Sequence, residues 1–246
     1  MGLRFSYGNW LSELAALEDL GKRFLTPTTL ATTLPRLRSS LENLRKTDHG
    51  RLEVPRTPLP VTTVETEGHE LGDRRGVPVS ARISFVWDVR RVEVARGRRG
   101  RLADEFEVVG KASTEVLLYH HRDGEKILTA TLQADLGDDA SPGCHFHTQL
   151  LPVAGDAPVP PVFAVPRVPS LLVTPIDVIV FVLGELFQDE WPASLQGNVA
   201  RVDRLRGPQR RRLESLLQWK LGQIDGPALP WVLLKRAKPP ENLFVS

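Results

Sequence analysis

Between Val79 and Leu151 apolar and polar residues alternate with the two-residue period of a strand, and no other feature of the 246-residue chain limits its fold so tightly. Ile83, Phe85, Trp87 and Val89 fall on one face of a first strand. A second runs from Phe106 to Tyr119 with Val108, Val109, Val116, Leu117 and Leu118. Between them, Gly97-Arg98-Arg99-Gly100 supplies the glycines of a tight hairpin. Arg122-Asp123-Gly124-Glu125 holds the Asp-Gly pair that favours a two-residue loop. Behind it Ile127, Thr129, Thr131 and Gln133 alternate with Leu128, Ala130, Leu132 and Ala134, and His145 to Leu151 completes four successive strands, an antiparallel meander.

The flanks read differently. Asn9 is placed to cap a helix from Trp10 through Leu11, Leu14, Leu17 and Leu20, with Gly21 as its stop. A second helix starts near Pro35, and Leu34, Leu37, Leu41 and Leu44 give it a single apolar stripe. From Thr47 to Ser80, Pro55, Pro58, Pro60 and Pro78 with four glycines leave room only for short extended pieces such as Val61 to Thr66. Seven prolines between Leu151 and Pro175 impose an extended or loop path. Thr174, Pro175 and Asp177 then form the start of a helix that is apolar on every side, hence buried. The last helix is expected after Gly207-Pro208, with Leu213, Leu216, Leu217, Leu221 and Ile224 on one face, and Trp231 to Leu234 as a closing strand. The fold class is therefore α+β: an antiparallel meander sheet of about four to six strands, with N-terminal and C-terminal helices packed on it. The organisation is a helical unit at 1–46, an extended connection at 47–80 and an α+β domain at 81–246, the first continuous with the last if its helices join the same core.

Several function classes are excluded or disfavoured. No apolar run approaches the ~18 residues of a membrane-spanning helix. A single cysteine, Cys144, provides neither an internal disulfide nor a cysteine zinc cluster. No basic segment followed by an apolar stretch and cleavage site opens the chain, so a soluble, cytoplasmic protein without a membrane partner is expected. Met1, Gly2 and Ser6 fit the loose N-myristoylation pattern, but arginine outnumbers lysine 25 to 7, a bias of GC-rich bacterial genomes that argues against that modification. The phosphate-cradling loop, the dinucleotide fingerprint, His-Glu-x-x-His, Cys-x-x-Cys and Gly-x-Ser-x-Gly are all missing.

Charge is the more informative signal. The net charge of +2 conceals two basic blocks. Nine arginines lie between Arg74 and Arg101 against Asp88 and Glu93, and six arginines and one lysine lie between Arg201 and Lys220 against Asp203 and Glu214. Nine acids between Leu102 and His147 offset much of this. Arg96, Arg98, Arg99 and Arg101 surround a hairpin tip, and Arg201, Arg204, Arg206, Arg210, Arg211 and Arg212 cluster at the expected start of the last helix. Arginines in a first helical turn oppose the helix dipole by ~0.3–1 kcal/mol each when exposed, a cost that an anionic ligand relieves. A solvated face balanced by acids elsewhere is the plain alternative.

The second signal is Cys144-His145-Phe146-His147. Two histidines one residue apart on a strand share a face, so both imidazoles reach toward one metal ion, with Asp135, Asp138, Asp139 or His120 as a third ligand. Ordinary structural histidines at a turn explain the same pattern.

Three functional expectations result. The leading one is a basic-patch protein that engages nucleic acid or an acidic protein partner without catalysis or cofactor, the ten arginines named above making phosphate or carboxylate contacts. The alternative is a metal-dependent hydrolase using zinc or another divalent metal at His145, His147 and Asp135. The third is a structural subunit of a larger complex, docking through the Leu34–Leu44 stripe and the proline-rich segment.

Overall fold

The computed structural model describes residues 2–67, 78–96, 101–137, 146–151 and 168–245. Its frame is a hairpin of two long strands, β4 (Val79–Arg96) and β5 (Arg101–Arg122), joined through the Asp123-Gly124 turn to β6 (Glu125–Leu136) and then to β7 (Phe146–Leu151). Positive φ at Asp123 (53°) and Gly124 (80°) gives the turn the twist a two-residue hairpin requires. Register sets the core face. Leu52, Trp87, Ala112, Leu136 and Phe146 form one row across the sheet, and Val54, Phe85, Thr114, Ala134 and Thr148 form the next. The four strands of the expected meander are thus adjacent and antiparallel.

The sheet has eight strands, more than the expected four to six. The extra ones are short: β1 (Arg4–Ser6), β2 (His49–Val54), β3 (Val61–Thr62) and β8 (Val168–Pro169). The segment read as a connection supplies β2 and β3, which pair along β4. β1 pairs with β5 at Glu105 to Glu107, while Ala112 to Arg122 of the same edge pairs with β6. The edge changes partner at a bulge, where Asp88 alone on β4 opposes Val109, Gly110 and Lys111, and Gly110 takes a φ of 124°. The Gly97-Arg98-Arg99-Gly100 tip lies outside the described residues, as do Cys144 and His145 and residues 152–167 of the proline-rich segment.

The helices are α1 (Tyr7–Leu20), α2 (Leu34–Leu44), α3 (Pro175–Leu186), α4 (Glu190–Leu195), α5 (Val199–Gln223) and α6 (Pro230–Arg236). α1 starts a turn earlier than Asn9 suggested, because Ser6, the last residue of β1, accepts a hydrogen bond from the Asn9 amide. A π-helical turn, Thr29–Thr33, runs straight into α2, whose Leu34, Leu37, Leu41 and Leu44 are all buried. That stripe belongs to the core, which removes it as a docking surface. α3 carries the expected reciprocal cap: Thr174 accepts from the Asp177 amide (3.2 Å) and its own amide donates to the Asp177 carboxylate (2.9 Å). Trp231 to Leu234 is helical instead of a strand, since Pro230 at a first helical position pre-sets φ and Leu233 to Arg236 are strong helix formers.

One core cluster draws on all three stretches of the chain, from Leu3 to Phe244. At its centre Phe5, Trp10, Trp87, Phe106 and Phe244 pack with ring centroids 5.2–6.1 Å apart. The aromatics of β1 and α1 therefore lock onto β4, β5 and the C-terminal segment together. Among the described residues no helix is long and apolar enough to cross a membrane.

Candidate functional site

α5 carries the second basic block, and its 25 residues place those arginines differently from the sequence expectation. The helix starts at Val199 and continues through Pro208, so Arg210, Arg211 and Arg212 stand in its middle and face no helix N-terminus. An internal proline costs about 3 kcal/mol. Here Pro208 is itself buried with Leu205, Arg212 and Leu216, at the three- and four-residue spacing of one face, and this packing offsets the missing hydrogen bond.

Arg212 is 5% exposed and does not belong to a surface footprint. Its Nη1 and Nη2 donate to the two oxygens of Glu13 on α1 (2.9 and 2.7 Å), and Nη2 also donates to Asp177 at the start of α3 (2.6 Å). Glu13 is fully buried. Burial pushes its carboxyl up to about 7, against the opposing pull of the Arg212 guanidinium. The two carboxylates raise the Arg212 value above its ordinary one although burial opposes them. One guanidinium thus fastens α1, α3 and α5 together. Sequence reasoning missed Glu13 and this use of Asp177; the available signal was an acid on the Trp10, Leu14 and Leu17 face of α1.

The other α5 arginines are exposed. Arg206 pairs with Asp203 (2.6 Å), Arg210 with Glu214 (2.7 Å) and Arg201 with Asp19 at the end of α1 (3.5 Å). Such exposed pairs contribute only ~0.2–1 kcal/mol each and re-partner readily. Arg204 and Arg211 carry no ion pair among the described residues. They stand seven residues, two turns, apart on one side of the helix. The Arg211 guanidinium lies back over Gly207, 3.6 Å from where a Cβ would stand.

Arg90 of the first basic block does not join them. Arg90 binds Glu107 (2.6 Å), which pairs with Arg4 of β1, directly before α1. Arg201 sits at the opposite end of α1, a helix of 14 residues or about 20 Å. Arg98 and Arg99 lie outside the described residues, as do the side chains of Arg96 and Arg101, whose backbones pair at the end of the hairpin.

α5 also presents apolar side chains. Leu213, Leu217 and Leu221, at four-residue spacing, are 39%, 41% and 62% exposed. Beside Leu213, between α3 and α5, runs a groove of about 250 Å³ lined by Leu171, Val180 and Phe181, with Asp177, Gln209 and Arg212 at its polar side.

Of the expected metal set, Asp135 and His147 are brought together. They are cross-strand partners on β6 and β7, with His147 Nε2 3.3 Å from the Asp135 carboxylate. Burial pushes the Asp135 carboxyl up, but hydrogen bonds from His147, Ser113 and Gln133 outweigh it and hold it below its ordinary value. His145 lies outside the described residues, and among those described no group of three or more histidines, cysteines or acids is arranged to hold a metal ion. His120 faces Thr129 (2.8 Å), and His121 is engaged at both ring nitrogens by Ser80 (2.9 Å) and Glu65 (3.0 Å). These two histidines are fastened into the sheet, away from His147.

The chain matches no protein-family model, no curated protein and no solved structure. Its functional reading therefore rests on the residues just described.

Proposed function

We propose that this is a non-catalytic binding protein that holds an acidic segment of a protein partner on the exposed arginines of α5. The observation that carries the reading is the side of α5 bearing Arg204 and Arg211, two cations without ion pairs among the described residues on a helix fixed from beneath by Arg212. Rigid placement lowers the ordering cost of binding, and Arg201, Arg206 and Arg210 add charge through pairs that exchange easily. An acidic protein segment suits this surface better than a nucleic acid does. Asp203 and Glu214 punctuate it and repel a continuous phosphate backbone, whereas a peptide can space its carboxylates between them.

Fluorescence anisotropy with a labelled glutamate-rich peptide and a random-sequence DNA duplex, across a salt series, tests the proposal. The peptide is expected to bind at low salt and to weaken as salt rises. Arg204→Glu with Arg211→Glu weakens it about tenfold or more, equivalent to two exposed contacts at ~0.7 kcal/mol each. No peptide binding at low salt, an unchanged affinity in the double variant, or tighter binding to the duplex overturns it.

A further inference from the structure

We infer that a second copy of this chain covers the leucine row of α5, the two α5 helices packing antiparallel about Leu217. Leu213, Leu217 and Leu221 form a continuous ridge along the outer side of a helix whose opposite side is already buried in the core. An apolar row of this kind on a surface helix marks a contact surface. Its ends identify the occupant. Toward the N-terminus the same face continues as Arg210, three residues before Leu213, and Arg206, four before that. Just beyond the C-terminus stands Asp225, exposed and without an ion pair among the described residues.

In an antiparallel pair, residues equidistant from Leu217 face one another. Leu213 then meets Leu221 of the partner subunit, and Leu217 meets its own copy on the two-fold axis. Arg210 lies about 10 Å before Leu217 along the helix, and Asp225 stands in the turn two residues past its Gln223 end, so each copy's arginine comes toward the other's aspartate. The surface is therefore self-complementary, as an isologous interface must be. A parallel pair would set Arg206 and Arg210 against their own copies, which like-charge repulsion disfavours. Among the described residues Arg210 is held only by Glu214, one turn away on an exposed face, a pair worth a few tenths of a kcal/mol. A stable interface takes about 800 Å² from each partner, more than three leucines supply. Leu171 and Phe181, exposed on the far side of the groove from Leu213, extend the apolar area in that direction.

The leucine row faces a different side of α5 from Arg204 and Arg211, while Arg206 and Arg210 are shared with the acidic-partner surface, so Leu217→Asp, which touches none of these arginines, separates the two readings. Sedimentation velocity on the full chain from low to high micromolar concentration tests it. The wild type is expected to pass from monomer to dimer, and Leu217→Asp, at an exposed position, to remain a monomer with an unchanged circular dichroism spectrum. Arg210→Glu and Asp225→Arg each weaken the dimer about tenfold, and the two combined restore it by exchanging the charges. A wild type that stays monomeric, a dimer that survives Leu217→Asp, or a combined variant no stronger than the single ones overturns the inference.

Discussion

Glu13 and Asp177 share one guanidinium, so the clamp beneath α5 holds two carboxyl groups against one cation, with Glu13 fully buried and Asp177 at the edge of the groove. Its pH dependence follows from Glu13. The folded value of about 7 lies above the ordinary 4.5, so between those values the folded chain retains a proton that the unfolded chain has lost. Stability from this group is full below the lower value and falls as pH rises through the window. Glu13→Gln removes the titration while keeping an oxygen to accept from Arg212. Denaturant midpoints compared at about pH 5 and about pH 8 are expected to drop for the wild type and to drop less for Glu13→Gln; equal slopes would place the titration elsewhere. The residues of this clamp were only half legible. The Thr174 and Asp177 cap is local, and its spacing shows it. Arg212 reads as one more cation in a basic run, because periodicity across Leu213, Leu216, Leu217 and Leu221 marks a broad apolar arc without saying which part meets the core. Only Leu216 of those four is buried, and Arg212, four residues before it, goes inside with it.

At the scale of elements, α5 shows how tertiary packing overrides a local stop. Gly207-Pro208 is a break by propensity, and the helix passes through it because Leu205, Pro208, Arg212 and Leu216 bury together along α1 and α3. The same weighing separates glycines with a purpose from those without. Gly184 in α3 and Gly222 in α5 are helical, and a Cβ on either would meet nothing within 4 Å. Gly184→Ala and Gly222→Ala are therefore each expected to stabilise the fold by ~0.5–1 kcal/mol, read as a higher denaturant midpoint with an unchanged slope. A loss at either site would reveal a close approach in solution that the helix surface does not show. α6 marks the limit of short-range reading: Trp231 to Leu234 is too short a run for periodicity to separate strand from helix, and the preceding proline decided it.

Over the whole molecule, the meander from β4 to β7 was legible because each contact follows from a neighbour in sequence: a turn signal, then the next alternating run. The pairing of β1 with β5 joins residues about a hundred positions apart and leaves no local trace. Yet this pairing places Phe5, Tyr7 and Trp10 against Trp87 and Phe106, and with them α1, Glu13 and the support for α5. The bulge at Gly110 is where one edge of β5 passes from β6 to β1, so backbone freedom at that residue underlies the arrangement of helices on sheet. A φ of 124° is strained for any residue with a side chain, while a Cβ at this site would touch nothing within 4 Å. Gly110→Ala therefore isolates the backbone contribution, with an expected loss of ~1–3 kcal/mol. Because β1 bonds β5 just beyond the bulge, amide exchange should accelerate first at Phe5 and at Val108, whose amide donates to the Leu3 carbonyl, and later along β6. Uniform acceleration across the sheet would instead mean that the bulge is a generally stabilising bend, and that the change of partner is held by the aromatic cluster alone.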